Sequence, residues 1–204
     1  MAKTVQIEDM KLDRSFYSRD DVVQIARELL GKYIVTNFNG ETTAGIIIET
    51  EAYEGVTDRA SHAFGGRRTS RTEVMFSPGG VAYVYLCYGM HSLFNIVTNI
   101  QDIPHAVLIR GIYPVEGLDL MKGRIQKPDL KRGTGIGPGK VSKLLGIHYS
   151  HTGIDLMGNE IWLEDRGLNL ENEILTGARI GVDYAGDDSF LPYRFRVPEE
   201  KVRT

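Results

Sequence analysis

The chain has 204 residues, 42% of them hydrophobic, and a formal net charge of −3, which suits one compact domain (1–204) with residues 1–12 as a loosely ordered extension. No apolar run approaches the roughly 18 residues of a membrane helix and the first residues carry no apolar leader, so a cytoplasmic chain with no membrane partner is expected. Cys87 is the single cysteine, which excludes an internal disulfide. The five histidines, at 62, 91, 105, 148 and 151, lack metal-ligand spacing, so no metal site is expected.

Ser18 reads as an N-cap ahead of a helix in which Val22, Ile25, Ala26, Leu29 and Leu30 repeat at helical spacing until Gly31. Strands follow at Tyr33–Phe38 and Thr43–Tyr53, joined through Asn39-Gly40, a dipeptide that favours a tight hairpin; Glu41-Thr42 could lengthen its loop. Residues 54–72 are rich in Gly, Arg, Ser and Thr and read as a surface loop. Strands are predicted again at Val81–Tyr88, Phe94–Thr98 and Ala106–Ile112, and helices at Val115–Lys122 and Lys140–Leu145. The last third alternates short apolar pieces, Glu160–Leu163 and Ala178–Val182, with turns. These elements imply a mixed α+β fold, a single domain built on a curved, largely antiparallel sheet with surrounding helices.

Two segments carry chemistry. Tyr83 and Tyr85 share a strand face, and Tyr88 stands beside Gly89, where the chain should bend and present the ring outward. Such rings are suited to stacking a base or wedging a duplex, although a core strand with aromatic fill is equally compatible with this segment alone. The second segment is an apolar strand, Gly45–Ile48, that turns acidic, with Glu49, Glu51 and Tyr53 on one face by the two-residue period. These carboxylates could be solvated edge residues or partners for Arg110. A half-buried glutamate at a strand end is also a candidate general base, because desolvation raises its pKa.

The net charge is not that of a strongly nucleic-acid-binding protein, so any such face must be local. Arg59, Arg67, Arg68 and Arg71 surround His62 in sequence. Lys122, Arg124, Lys127, Lys131 and Arg132 form a second basic stretch, and Lys140 and Lys143 follow Gly137-Pro138-Gly139. Each run is also readable as a solvated loop.

The ordered set Glu51-Ala52-Tyr53, His62, Met75-Phe76, Pro78-Gly79, Tyr83-Val84-Tyr85, Tyr88-Gly89-Met90, Asn95 and Arg110 resembles the alkyladenine (3-methyladenine, methylpurine) DNA glycosylase family. Weaker matches follow at Gly137–Lys140, Arg179–Val182 and Pro192–Phe195, while Tyr193 and the 54–72 loop depart from the pattern. The resemblance implies a monofunctional enzyme that flips alkylated or deaminated purines out of duplex DNA and hydrolyses the N-glycosidic bond, without a cofactor. Glu51 and Arg110 would be catalytic, and Tyr53, His62, Tyr85 and Asn95 would form the base pocket. Tyr88 would be the wedge, with Met75, Arg67, Arg68, Arg71 and Lys140 as further DNA contacts. The implied partner is double-stranded DNA containing damaged purines, bound by a monomer, nucleoid-associated if the source is prokaryotic.

Two other functions share parts of this pattern. A hydrolase of free nucleosides would use Glu51 and the stacking pocket but would not need Tyr88 or basic loops. A lesion-binding module would need neither Glu51 nor Arg110.

Overall fold

The structure, a computed structural model, describes residues 10–203. Residues 1–9 of the expected N-terminal extension lie outside the described residues. Met10 O already accepts from Asp165 N–H at 2.8 Å and Leu12 donates its N–H to Leu163 O at 2.9 Å, so residues 10–12 are paired.

A one-turn helix, α1 (Arg14–Tyr17), precedes α2 (Val22–Glu28). Asp13 accepts from the Ser15 and Phe16 N–H groups to cap α1, and the Asp21 side chain caps α2 by accepting from Gln24 N–H at 2.8 Å. The predicted cap, Ser18, ends α1 instead, its hydroxyl donating to Arg14 O at 2.9 Å. The predicted helix is α2, capped by Asp21 rather than Ser18, and α1 is an additional turn of helix ahead of it with its own aspartate cap. Val22, Ile25 and Ala26 are buried, and Gly31, with φ at 85°, turns the chain into the sheet.

Among the described residues, eight antiparallel strands form one sheet. Its main path is β3 (Val81–Cys87), β4 (His91–Thr98), β5 (His105–Glu116), β2 (Glu41–Tyr53), β1 (Tyr33–Phe38), β6 (Ile161–Glu164). Off this path, β8 (Arg194–Arg196) pairs with the second half of β2 and with β7 (Leu175–Gly177). Asn39 and Gly40 both have positive φ, 57° and 85°, and Phe38 pairs directly with Glu41, so Glu41-Thr42 extends the strand and the turn has two residues. β4 begins earlier and β5 ends later than predicted. The prolonged β5 displaces the next helix to α3 (Leu118–Ile125), while α4 (Pro138–Leu145) starts two residues early, with Pro138 in its first turn. Ala178–Val182 belongs to neither a helix nor a strand.

Strand alternation divides the molecule into two faces. Val84, Phe94, Ile96, Val107 and Ala52 point into the main core with Ile25 of α2, Leu29 just after it and Leu144 of α4. Tyr83, Val97 and Ala106 point the other way and pack on Met75 and Phe76 from the 54–80 segment. That opposite face carries Glu49, Glu51 and Tyr53. The helix layer thus supplies the burial that holds the sheet rigid beneath them.

The β2–β5 ladder slips three times, once at Ala44/Gly45 and twice around Glu49. Ile47 pairs with Ile112 and Glu49 with Gly111, which leaves Ile48 extra; Thr50 then pairs with Ile109, which leaves Arg110 extra on β5. A bulge bends its strand and re-aims the extra side chain. Here it leaves Arg110 beside Glu49 and Glu51, while Arg110 O accepts from Gly137 N–H at 2.8 Å, just ahead of α4.

Candidate active site

Glu51 is wholly buried near the end of β2. Tyr53 Oη donates to its Oε2 and the Ile180 N–H to its Oε1, each at 2.8 Å. Arg110 approaches from β5, with Nε 3.3 Å from Glu51 Oε1 and a terminal nitrogen 3.4 Å from Oε2. Burial raises the Glu51 pKa despite Arg110, the Ile180 N–H and Tyr53, all of which favour the ion; the nearby Glu49 adds to the rise. A buried carboxylate so disposed takes up a proton more readily than an exposed one.

These groups adjoin a cavity of about 220 Å³ walled by Tyr53, His62, Tyr83 and Tyr85, with Asn95, Met75, Leu108 and Arg110 deeper in and Tyr88 and Tyr184 at the rim. The volume is below the roughly 300–1,000 Å³ of sites for drug-sized molecules and suits one planar base. His62 Nδ1 lies 2.8 Å from Tyr83 Oη, and its ring meets the Tyr85 ring edge-on, with centroids 4.7 Å apart. Burial lowers the His62 pKa to about 4, assisted by Arg71 and Arg67, so the ring is neutral near pH 7. Asn95 Nδ2 donates to Tyr83 O at 3.2 Å and to Leu93 O at 3.3 Å, which fixes the amide in the wall.

Tyr88 occupies the tip of the three-residue turn between Cys87 and His91 and is 89% exposed. Its φ of 50° is left-handed, a conformation costing an aromatic residue on the order of 1 kcal/mol. Gly89 follows at φ 67°, and the two together throw the ring outward, with exposed Met90 beside it.

The other expected contacts divide. Met75 is only 2% exposed, so it meets the cavity from the core and is not a surface contact; the turn formed by Glu73–Phe76 folds it inward. Arg59, Arg67 and Arg71 line an adjoining groove with Ser61, His62 and Tyr184, and the Arg71 guanidinium sits 4.8 Å from the Tyr85 ring centre. Arg68 faces elsewhere: Glu73 and Asp102 hold it at 2.8 and 2.9 Å, neutralising its charge. Lys140 is exposed in the first turn of α4, where Gly139 packs against His91 at the base of the Tyr88 turn. Lys122 and Arg132 are compensated by Asp119 and Glu200.

The sequence reading missed the segment that closes the site from the far end of the chain. The Arg179 guanidinium is buried in a bidentate pair with Asp58, donates to Ala52 O at 3.0 Å and lies over the Tyr53 ring, 4.8 Å from its centre. This anchoring places the next residue, Ile180, with its N–H on Glu51. Tyr184, whose Oη donates to Ala60 O at 3.0 Å, supplies a further aromatic rim. The only trace in the sequence was the weak match at Arg179–Val182.

The family profile described as Methylpurine-DNA glycosylase (MPG) matches residues 15–201. A protein of Chlamydia felis named "Putative 3-methyladenine DNA glycosylase" is 47% identical over 195 residues, covering 94% of this chain and 98% of its own. Proteins with the same name from Clostridium acetobutylicum and Bacillus cereus are 42% and 40% identical, covering 94% and 91% of this chain and 96% and 95% of theirs. With a buried carboxylate and guanidinium beside a base-sized aromatic cavity and a match over nearly its whole length, the chain belongs to the methylpurine-DNA glycosylase family, hydrolases of N-glycosyl bonds in DNA.

Proposed function

We propose that this protein, acting as a monomer, flips alkylated or deaminated purines of the 3-methyladenine, 7-methylguanine and hypoxanthine type out of duplex DNA and hydrolyses their N-glycosidic bonds. The observation that carries this reading is the Glu51–Arg110 pair beside a base-sized aromatic cavity whose rim bears the outward Tyr88.

Extrusion costs a few kcal/mol, least for damaged or mispaired bases. Tyr88 stacks in the vacated place and returns roughly 1–3 kcal/mol. The flipped base lies among Tyr53, His62 and Tyr85, whose electron-rich faces favour electron-poor alkylpurines. Asn95, fixed by its two backbone bonds, crowds the purine 2-amino position and so disfavours ordinary guanine. Arg67, Arg71 and Lys140 approach backbone phosphates, which position the duplex without reading sequence.

Glu51 accepts a proton from water as the water oxygen bonds to C1′ and the C1′–N bond breaks, its electron pair leaving with the base. The developing oxocarbenium charge is stabilised by the same carboxylate. A cationic lesion leaves as a neutral base and needs little acid assistance, whereas a neutral lesion depends more on the site. No lysine lines the cavity among the described residues, which supports water over an amine as nucleophile and an intact strand as product.

Duplexes bearing hypoxanthine or 3-methyladenine and the corresponding free nucleosides are incubated with the protein, and released base is measured. Release from duplex alone, with the strand intact, is expected. Release from nucleosides at equal efficiency establishes a nucleoside hydrolase, and binding without release a recognition module.

A further inference from the structure

Glu49 is buried on the Glu51 face of β2, and the mechanism above does not use it. Its Oε1 accepts from Arg110 Nε at 3.2 Å and from Arg194 Nε of β8 at 2.6 Å. Arg110 Nε is thus shared almost equally, 3.2 Å from Glu49 and 3.3 Å from Glu51. The groups form a line, Arg194, Glu49, Arg110, Glu51, with alternating charge. Its two ends are solvated differently: the Arg194 side chain is 22% exposed and that of Glu51 wholly buried. A separate cavity of about 330 Å³, lined by Arg132, Ile136 and Arg196, reaches Glu49 and Arg194.

We propose that Glu49 is a positioning residue that sets the protonation state of Glu51 by competing with it for Arg110, with Arg194 setting how strongly Glu49 competes. This deepens, and rests on, the reading of Glu51 as the base. The other groups around Glu51 are Tyr53 on its own strand, Arg179 and the Ile180 N–H on the returning segment, and Tyr184 at the rim. Asp58 lies behind Arg179 and is neutralised by it. None of these bridges both carboxylates; Arg110 does. Losing the Glu49 charge frees Arg110 for Glu51 and removes a like charge, so Glu51 should stay ionised to lower pH. Losing the Arg194 charge leaves Glu49 with Arg110 as its remaining guanidinium partner, so Glu51 should protonate at higher pH. Opposite shifts from two ends of one line are not what general loosening of the site would give.

The test is a carboxyl ¹³C NMR titration of glutamate-labelled free protein, wild type, Glu49→Gln and Arg194→Gln, with the Glu51 resonance identified by its loss in Glu51→Gln. The Glu51 midpoint should fall by about one pH unit in Glu49→Gln and rise in Arg194→Gln. The acid limb of single-turnover excision of a neutral lesion should move the same way. Unmoved midpoints, or two shifts of the same sign, overturn the proposal. If Glu49→Gln does not fold, the sign of the Arg194→Gln shift decides alone. Failure of the base reading is separately visible: Glu51→Gln would then still excise, whatever the titrations show.

Discussion

Tyr53 Oη donates a 2.8 Å hydrogen bond to Glu51 Oε2, so one side chain is both a wall of the base cavity and a partner of the carboxylate beneath it. Alternation along β2 puts the two residues on one face, and the buried position forces the hydroxyl to find an acceptor. Tyr53→Phe keeps the ring and removes the donor. A hydrogen bond to a charged group is worth about 1.5–3 kcal/mol, so the excision rate near pH 7 should fall roughly 10- to 100-fold with lesion-duplex affinity unchanged. Single-turnover rates and equilibrium binding separate the two effects; an equal loss in both would make Tyr53 a packing residue only.

Glu51→Gln should abolish base release and leave lesion-duplex binding nearly intact, because the amide keeps the shape but can neither accept the proton nor stabilise a cation. The same change should raise the thermal midpoint at pH 7. Glu51 has a folded pKa above its unfolded value, so the stability it contributes is present below the unfolded pKa and is lost as pH rises through the folded one. At neutral pH the buried carboxylate is therefore a cost to the fold, which a neutral isostere relieves. Retained turnover would place the chemistry elsewhere.

Much of this site was legible because it follows from local rules. The two-residue period that grouped Glu49, Glu51 and Tyr53 holds in the structure, since the bulge within that stretch adds its extra residue, Arg110, to the partner strand. The Asn39-Gly40 turn was readable because few other dipeptides tolerate two positive φ values. What was hidden depends on distant partners. Arg68 looked like its neighbours Arg67 and Arg71, and only the approach of Glu73 and Asp102 sets it apart. Asp58 and Arg179 are 121 residues apart and both lie in irregular backbone, where no periodicity announces a contact. Met75 matched a motif, but a motif does not say from which side its side chain arrives.

Removing one partner of a buried ion pair leaves an uncompensated charge and costs about 3–5 kcal/mol. Arg179→Met should therefore lower stability by that order, with Asp58 left buried behind Tyr53. Combining it with Asp58→Asn should cost less than the sum of the single changes, because neither charge remains. Denaturant unfolding of the four proteins measures this; simple additivity would mean that the two residues do not act as a pair.

His62 has the opposite sense to Glu51. Its folded pKa of about 4 lies below the unfolded value near 6.5, so the neutral ring stabilises the fold above 6.5, and that contribution is lost as pH falls towards 4. The loss is on the order of 3 kcal/mol at most, reduced by the partial access of solvent to the cavity. His62→Gln cannot titrate and should lose less stability between pH 6.5 and 4 than the wild type. Parallel pH profiles for the two proteins would show that His62 does not report this burial.

Tyr88 is held in a left-handed conformation and exposed to 89%, a combination that neither packing nor local propensity rewards. A ring presented this way gains contact only from a partner, and under the wedge reading that partner is the stack vacated by a flipped base. Tyr88→Ser should therefore weaken binding to lesion-containing duplex by roughly 1–3 kcal/mol, the stacking it removes, with little change in stability. Single-stranded substrate should lose less, because no gap opens when the base is already unstacked. Tyr85→Ala differs in kind: its ring packs on His62 and Tyr83 inside the cavity, so excision should fall on either substrate. Binding and single-turnover excision, measured for both variants on both substrates, separate the two roles. Equal losses for Tyr88→Ser on duplex and single strand would make Tyr88 part of the pocket and leave its strained, outward position without the wedge as its reason.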